Sequence, residues 1–308
     1  MIHSNSGPLL VPIALLSLMA GSANLSAQPI GKLPAGTTIQ ALTGTAVHQF
    51  DTKIDAGGEI GLTRLGIGYD LMRSLGNDRA IGLGIDYDAN LFSFSGDDGL
   101  GSLEPWGTVN TFSLAIGYTG KLGEDWSLRI APSITASGES SASFSDSLRY
   151  GAVLAFTRTF KETLTLGLGA AIFSGLEETR AFPFIAVRWA FAPGWTLQNP
   201  FRPGPAGPAG LEVAYKTDTW EFGFGGSYRS FRFRLADGGS VANGIGEYNN
   251  VPLFVRASRP IGQNLTLDAY AGMLVGGSIE IEDSDGNDLV KSDFDPAPLI
   301  AISISGRF

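Results

Sequence analysis

The sequence predicts an all-β protein, a closed antiparallel β-barrel that spans a membrane. Long segments alternate apolar residues with small or polar ones, which is the period of a strand with two different faces. Many of these segments exceed the roughly 9–11 residues that a tilted strand needs to cross a bilayer. Short turns alternate with long loops between them, as in outer-membrane barrels. No backbone amide is left unpaired in lipid, so such a sheet must close on itself.

The composition excludes several other classes of protein. Charged residues make up 17% of the chain, below the roughly 25% of soluble proteins. The net charge is -9, so the chain lacks the excess of basic residues that is typical of a nucleic-acid-binding protein. The chain has no cysteine, which excludes disulfides, thiolate metal sites, a cysteine nucleophile and an acylated cysteine anchor.

The N-terminus is typical of a secretory signal. The apolar core "GPLLVPIALLSLMAGSA" is short for a membrane span and ends in small residues. We predict a signal peptide over residues 1–27, cleaved after Ala27, with cleavage after Ala23 or an uncleaved anchor as alternatives. A short periplasmic segment then occupies residues 28–38, and the barrel occupies residues 39–308.

The alternating pattern predicts about fourteen strands, an even number that leaves both termini on the periplasmic side, with about twelve as the alternative. The candidate strands lie near residues 39–50, 59–73, 80–94, 110–122, 125–138, 147–160, 163–176, 182–191, 195–200, 210–217, 219–235, 247–259, 264–281 and 296–308. The count becomes twelve if the segments near 39–50 and 195–200 are not strands. Within "WEFGFGGSYRSFRFRL" the apolar phase flips, which predicts a β-bulge or an exit from the bilayer.

Aromatic residues collect at one predicted end of the barrel. They lie beside the short turns or at the C-terminus, where amphipathic rings would form a periplasmic girdle. The predicted girdle comprises Trp126, Phe160, Phe191, Trp195 and Trp220, joined by Phe308. A soluble β-sandwich offers no reason for aromatic residues at one end only.

The final residues "PLIAISISGRF" place Ile300, Ile302, Ile304 and Phe308 on one face of the last strand. This ending resembles the C-terminal signature of bacterial outer-membrane proteins, which the barrel-assembly machinery reads. The resemblance implies that Phe308 is an assembly signal and that the protein lies in the outer membrane of a Gram-negative bacterium.

Longer segments carry a second resemblance. "SFSDSLRYGAVLAFTRTFKETLTLGLGAAIFSGLEE", "WEFGFGGSYRSFRFRL" and "DPAPLIAISISGRF" resemble a family of uncharacterised bacterial outer-membrane β-barrels over most of residues 60–308. The resemblance implies a fold and a location, and it carries no catalytic residue.

Charged residues of both signs fall on the predicted inward face. They are Arg64, Asp70, Asp86, Asp88, Arg129, Arg149, Arg188, Glu212, Arg256, Asp268 and Glu280. In a water-filled lumen such charges tune permeation, as charged rings do in pores. In a plugged lumen they pair across it, and the many inward Gly, Ala and Ser residues allow either arrangement.

Two further features have plainer explanations. His48 is the single histidine after the signal peptide, and with Ser or Asp partners it could imitate a hydrolase site; a polar residue at a strand end explains it as well. The acidic segment "EDSDGNDLVKSD" offers oxygen ligands for calcium. Its spacing departs from the EF-hand loop, so a turn rich in Asp, Asn and Gly is the simpler interpretation.

These observations favour a porin-like passive channel for small solutes. The alternative is a non-conducting structural or surface-interaction barrel that presents acidic extracellular loops. We predict no enzyme activity, no cofactor, no metal and no nucleic-acid partner. The expected partners are outer-membrane lipid, lipopolysaccharide and the barrel-assembly machinery.

Overall fold

The computed structural model describes residues 33–200 and 202–308, and these residues form strands almost throughout. The predicted signal peptide over residues 1–27 lies outside the described residues. The strands are β1 Thr38–Lys53, β2 Glu59–Gly76, β3 Arg79–Ser95, β4 Thr108–Leu122, β5 Trp126–Glu139, β6 Leu148–Lys161, β7 Leu164–Gly175, β8 Glu178–Ala192, β9 Trp195–Gln198, β10 Gly210–Lys216, β11 Glu221–Ser227, β12 Arg229–Arg234, β13 Ile245–Ile261, β14 Leu265–Glu282, β15 Asp288–Phe294 and β16 Ala297–Arg307. One short helix, α1 Gly99–Leu103, follows β3.

The strands close into an antiparallel barrel of fourteen wall positions, which confirms the predicted fold and strand number. Neighbours in sequence pair along the wall, and β1 pairs with β16 to close it. Two of the positions are interrupted strands. β11 and β12 both lie along β13, and β15 and β16 both lie along β14. The first predicted strand is therefore a full member of the wall, since β1 pairs on both edges.

The outer face of the barrel is an apolar belt. Alternate side chains on each strand are exposed and large, which suits lipid contact and would be unfavourable in water. Representative members are Leu42, Leu65, Ile67, Phe112, Ile116, Ile130, Ile134, Leu154, Phe156, Leu168, Ile172, Ile185, Phe224, Val255, Ile300 and Ile302. Among the described residues, no helix is long and apolar enough to cross a bilayer.

We call one end of the barrel the turn end, because it carries the start of β1, the end of β16 and the connections after β2, β4, β6, β8, β10 and β13, each only a few residues long. The predicted girdle residues are all exposed there. Their exposed fractions are 45% for Trp126, 52% for Phe160, 43% for Phe191, 40% for Trp195, 38% for Trp220 and 66% for Phe308. The opposite end, which we call the loop end, is built differently.

At the loop end the hairpin of β12 and β13 bends into the barrel. The predicted phase flip falls at the break between β11 and β12, and beyond it Arg234 pairs with Gly138 of β5 across the barrel. The side chains on the outer face of β12 consequently contact the inner side of the wall. Arg232 donates to the carbonyl of Leu176 at 3.0 Å, and Tyr228, just before β12, packs on an apolar cluster of β4 to β8.

A packed apolar core fills the ring that this hairpin closes. Its buried members come from the loops and from strands on opposite sides of the barrel: Ile54, Ile60, Phe92, Leu100, Trp106, Val109, Phe233, Leu235, Tyr248, Ile279, Ile281 and Phe294. Phe233 stands 5.1 Å from Trp106 between ring centroids. Part of the acidic loop near the C-terminus forms β15, which the sequence pattern did not predict.

Candidate functional site

The middle of the lumen is occupied by the segment between β9 and β10, residues 202–209, which we call the inner loop. β9 has only 4 residues, because the Pro- and Gly-rich sequence that follows lacks the amide donors to extend a strand. Pro203, Gly204, Pro205, Ala206 and Gly207 are all buried. The structure thus places this segment inside the barrel.

Hydrogen bonds from the wall hold the inner loop. The Tyr270 hydroxyl and the Ser303 hydroxyl both donate to the carbonyl of Pro203, at 2.8 Å and 2.9 Å. Arg229 donates to the carbonyl of Pro205 at 2.9 Å. Arg64 donates to the carbonyl of Gly204.

The inner loop also supplies a charge to a buried network. Arg202 lies 3.0 Å from Glu221 and 3.4 Å from Asp268. Arg256 contacts the same two carboxylates at 2.8 Å and 3.4 Å, and it also pairs with Glu212. Because Arg256, Glu212 and Asp268 are almost fully buried, removal of one member leaves its partners uncompensated in a dry environment.

A second ionic network lies toward the loop end, between the bent hairpin and the wall. Arg180 of β8 pairs with Glu247 of β13 at 2.6 Å, and Arg232 pairs with Glu247 at 3.1 Å. Arg232 also forms a two-nitrogen contact with the carboxylate of Glu282. These bonds fasten the hairpin to β8.

Among the described residues, two cavities lie along the inner wall, and the larger one borders Pro203 and Gly204 of the inner loop. The larger has a volume of about 70 Å³, and Arg64, Asp86, Asp88 and Arg229 line it among Thr and Ser side chains of β1 to β5. The smaller has a volume of about 30 Å³ and lies between Asp70 and Arg129. Since one water molecule needs at least about 10–15 Å³ of volume measured in this way, these spaces suit a few water molecules.

The structure therefore brings most of the predicted inward charges to three places. The first is the pair of cavities, with Arg64, Asp70, Asp86, Asp88 and Arg129. The second is the network at Arg202, with Glu212, Arg256 and Asp268. The third is the inner side of β6, where the Arg149 guanidinium stands 5.7 Å from the centroid of the Phe173 ring. Arg188 is exposed near the turn end.

Glu280 is a correction to the prediction. Gly276 has a φ of +58° and lies at a bulge in β14, which exchanges the two faces of that strand. Beyond the bulge Ile279 and Ile281 face the buried core, and Glu280 faces away from it to pair with the exposed Lys291 at 2.6 Å. Simple alternation across a Gly-Gly pair missed this change.

Sequence reasoning also missed several charged residues that close the lumen. These are Arg180, Arg202, Glu221, Arg229, Arg232, Glu247 and Glu282. Most lie beyond the phase flip or on the inner loop, where a period-two pattern no longer indicates which face is inside. The one available signal was the Pro- and Gly-rich segment after a very short strand.

The other candidate residues form no reactive site. The exposed His48 ring bonds the Thr63 hydroxyl at 2.9 Å and meets Phe50 edge-on. The Asp283 carboxylate accepts hydrogen bonds from the side chain and the backbone of Asn287, each at 2.9 Å. These bonds hold the pKa of Asp283 below its usual range. The described residues contain no group of His, Asp or Glu arranged to hold a metal ion.

No family model matches the sequence, and no curated protein matches it. The chain is similar to an outer-membrane channel from Pseudomonas putida F1, with 12% identity over 91% of this chain and 99% of that one and a TM-score of 0.49. It is similar to the Pseudomonas putida toluene transporter TodX, with 9% identity over 94% of each chain and a TM-score of 0.45. It is also similar to the KdgM porin, with 10% identity over 86% of this chain and 99% of that one and a TM-score of 0.37. Likeness at this level carries no argument, so the fold rests on the strand pairing of this chain.

Proposed function

We propose that this protein is a channel for small solutes in the outer membrane of a Gram-negative bacterium. A barrel of about eight strands is filled by its own side chains, whereas wider barrels leave a lumen. Here the wall has fourteen positions, and a loop rather than wall side chains occupies its middle. That inner loop is the observation on which the proposal depends.

The wall beside the inner loop suits aqueous permeation. Several inward positions of β4 and β5 are hydroxylated, with Thr111 bonded to Ser137 at 2.9 Å and Ser113 bonded to Thr135 at 3.1 Å. Such side chains cover little of the lumen and hydrogen-bond water. Withdrawal of the inner loop would widen the larger cavity, which Arg64, Asp86 and Asp88 line, into a polar passage along these strands.

The contacts of the inner loop suit an obstruction that moves. It has no ladder of its own, and individual side chains hold its carbonyls. The bonds from the two hydroxyls contribute only about 0.5–1.5 kcal/mol net each, and those from the arginines contribute about 1.5–3 kcal/mol each. We infer that conduction accompanies displacement of the inner loop, with the bent hairpin at the loop end as a second obstruction in series.

The test is single-channel recording of the refolded chain, residues 28–308, in a planar lipid bilayer. We expect brief, stepwise conductance from the native sequence. A variant in which Gly and Ser replace residues 203–207 should open longer and conduct more. The matched control carries the same replacement in the exposed loop at residues 140–145 and should behave as the native protein. Absence of current from a folded native barrel and from the inner-loop variant would overturn the proposal.

A second candidate function is a non-conducting barrel that presents its loop end to the cell surface. The observation that favours it is the packed apolar core at that end, which resembles the interior of a domain. In that case neither the native protein nor the inner-loop variant conducts current in the bilayer experiment. Binding of lipopolysaccharide to the acidic loops then becomes the property to measure.

We also propose the route to the membrane. A signal peptide over residues 1–27 would direct export, and Phe308 would serve as the signal for the barrel-assembly machinery. The exposed terminal ring and the strand alternation before it support this assignment. Expression of the chain without Phe308 tests it, because assembly should slow in cells while the protein level stays unchanged.

A further inference from the structure

The wall of the barrel is interrupted on one side of β8. Toward the turn end β9 pairs with β8 from Arg188 to Ala192. Toward the loop end, among the described residues, no strand pairs with that edge of β8 between Glu178 and Phe184. The strands that would continue the wall beside β8, β9 and β10, are short because the chain between them enters the lumen, and β12 has bent into the barrel. We call this opening the window.

The sequence of β8 is adapted to an unpaired edge. The backbone of Val187 donates to the Asn199 side chain at 2.9 Å, and the carbonyl of Ile185 accepts from it at 3.0 Å. Since the two edges alternate along a strand, Pro183 belongs to the same edge. Proline has no amide hydrogen, so it removes a donor that would otherwise be unpaired in lipid.

The window lies at the depth of the apolar belt. Pro183 pairs in register with Ala170 of β7, and the neighbouring outward residues of β7 are Leu168 and Ile172. Leu168 is 70% exposed and Ile172 is 51% exposed. On β8 itself Ile185 is 63% exposed. An opening bordered by these side chains faces acyl chains and not water.

An apolar, aromatic surface lies directly behind the window. Phe182 and Phe184 point inward from the open edge, Phe173 of β7 stands 6.4 Å from Phe182 between ring centroids, and Tyr228 packs on the same cluster. Gly169 makes room for the Phe184 ring, because a Cβ at that position would lie 2.2 Å from it. This surface separates β8 from the bent hairpin.

Polar groups border the window above and below. On the turn side, the Asn199 side chain bonds β8 and also the carbonyls of Pro208 and Gly210 at 3.3 Å and 3.0 Å. On the loop side, the Arg180–Glu247 pair joins β8 to the hairpin. The surface between these polar contacts is aromatic, and the Arg149 guanidinium stands against its Phe173 ring, 5.7 Å from the centroid.

From this geometry we propose that the window is a lateral entrance for small apolar solutes, which bind between Phe182, Phe184 and Tyr228 and exchange between the bilayer and the lumen. This inference rests on the proposed channel function, and it adds the chemical class of the solute. Planar or compact hydrocarbons fit it, because they stack on aromatic rings and require no hydrogen bond.

The test uses the cysteine-free chain. A nitroxide label at F184C in lipid vesicles should collide more with oxygen, which concentrates in lipid, than with a water-soluble nickel chelate. Added naphthalene should reduce both the oxygen collisions and the mobility of that label. The matched control is F254C, a buried inward position whose strand is paired on both edges. It should show neither effect.

Folding of each labelled variant is checked by its heat-modifiable migration on a gel, and F182C provides a second site within the window if F184C does not fold. Equal oxygen and nickel collisions at both window positions, or the same naphthalene response at the control, would overturn the window. Single-channel current from the unlabelled protein is measured in parallel. Current without a window response therefore refutes the lateral entrance alone, whereas loss of current refutes the channel.

Discussion

The hydroxyls of Tyr270 and Ser303 allow a direct test of how the inner loop is held. Both donate to the carbonyl of Pro203, at 2.8 Å and 2.9 Å, and both residues are buried. The Tyr270→Phe and Ser303→Ala substitutions remove the two donors and change little else. We expect each single variant to weaken the occluded position of the loop and the double variant to weaken it further.

The magnitude follows from the number of bonds lost. A buried hydrogen bond contributes about 1 kcal/mol net, so the double variant loses about 2 kcal/mol. Because about 1.4 kcal/mol corresponds to a tenfold change in an equilibrium constant, the ratio of open to closed states should rise about 30-fold. Each single variant should raise it about 5-fold. The buried carbonyl left without a donor makes these values lower limits.

The assay is the open probability in single-channel recordings, with Ser113→Ala as the control. Ser113 is a buried wall hydroxyl bonded to Thr135 and not to the inner loop. Heat-modifiable migration of each variant and of the native protein on a gel shows that the comparison is between folded barrels. An open probability in the double variant that matches the control would refute the claim that these bonds hold the loop over the lumen.

Three other predictions concern stability and assembly, and a fourth concerns titration. Arg256→Met leaves three acidic partners without their buried cation and should lower the free energy of unfolding by about 3–5 kcal/mol, measured by urea denaturation in detergent. The exposed Arg259→Met, which loses only a contact with an aromatic ring, should cost about 1 kcal/mol or less. Gly204→Val places a Cβ where the neighbouring tyrosine ring now lies, 2.6 Å away, so it should displace the inner loop and increase conductance. Deletion of Phe308 should slow assembly in cells without lowering the final stability of the refolded barrel. Asp283 should titrate below the usual range of an aspartate because of its hydrogen bonds. The turn that it stabilises should stay ordered as the pH falls through the ordinary aspartate pKa and loosen only below the lowered one, as NMR titration of that carboxyl would show.

The architecture of the wall was predictable because it depends on local sequence. Side chains in a strand alternate with a period of two, so each wall segment indicates its own lipid face without reference to the rest of the chain. The strand number, the even parity and the position of the phase flip at Tyr228 all followed from this pattern. The pattern is least informative for β9, because a strand of 4 residues is too short to show a clear alternation of apolar and polar side chains.

The faces of β14 show where local reading fails. Ile279 and Ile281 continue the apolar alternation of Leu265 and Leu267, yet they face the opposite side of the sheet. The single unpaired residue at Gly276 causes the exchange. A glycine pair indicates that a bulge is possible, but only the pairing with β13 determines whether one forms.

The sequence by itself thus determined a closed, lipid-facing barrel with one aromatic end, because alternation and the need to pair every backbone amide in lipid leave no other solution. Only the tertiary structure decided what fills it. The contacts that hold the inner loop join Pro203 to Tyr270 and Ser303, which are 67 and 100 residues away, and Arg234 meets Gly138 across the barrel. Such contacts depend on which wall positions face each other once the barrel has closed. No local sequence pattern indicates which wall positions face each other. The positions of the inner loop, the bent hairpin and the window are therefore decided only when the barrel closes.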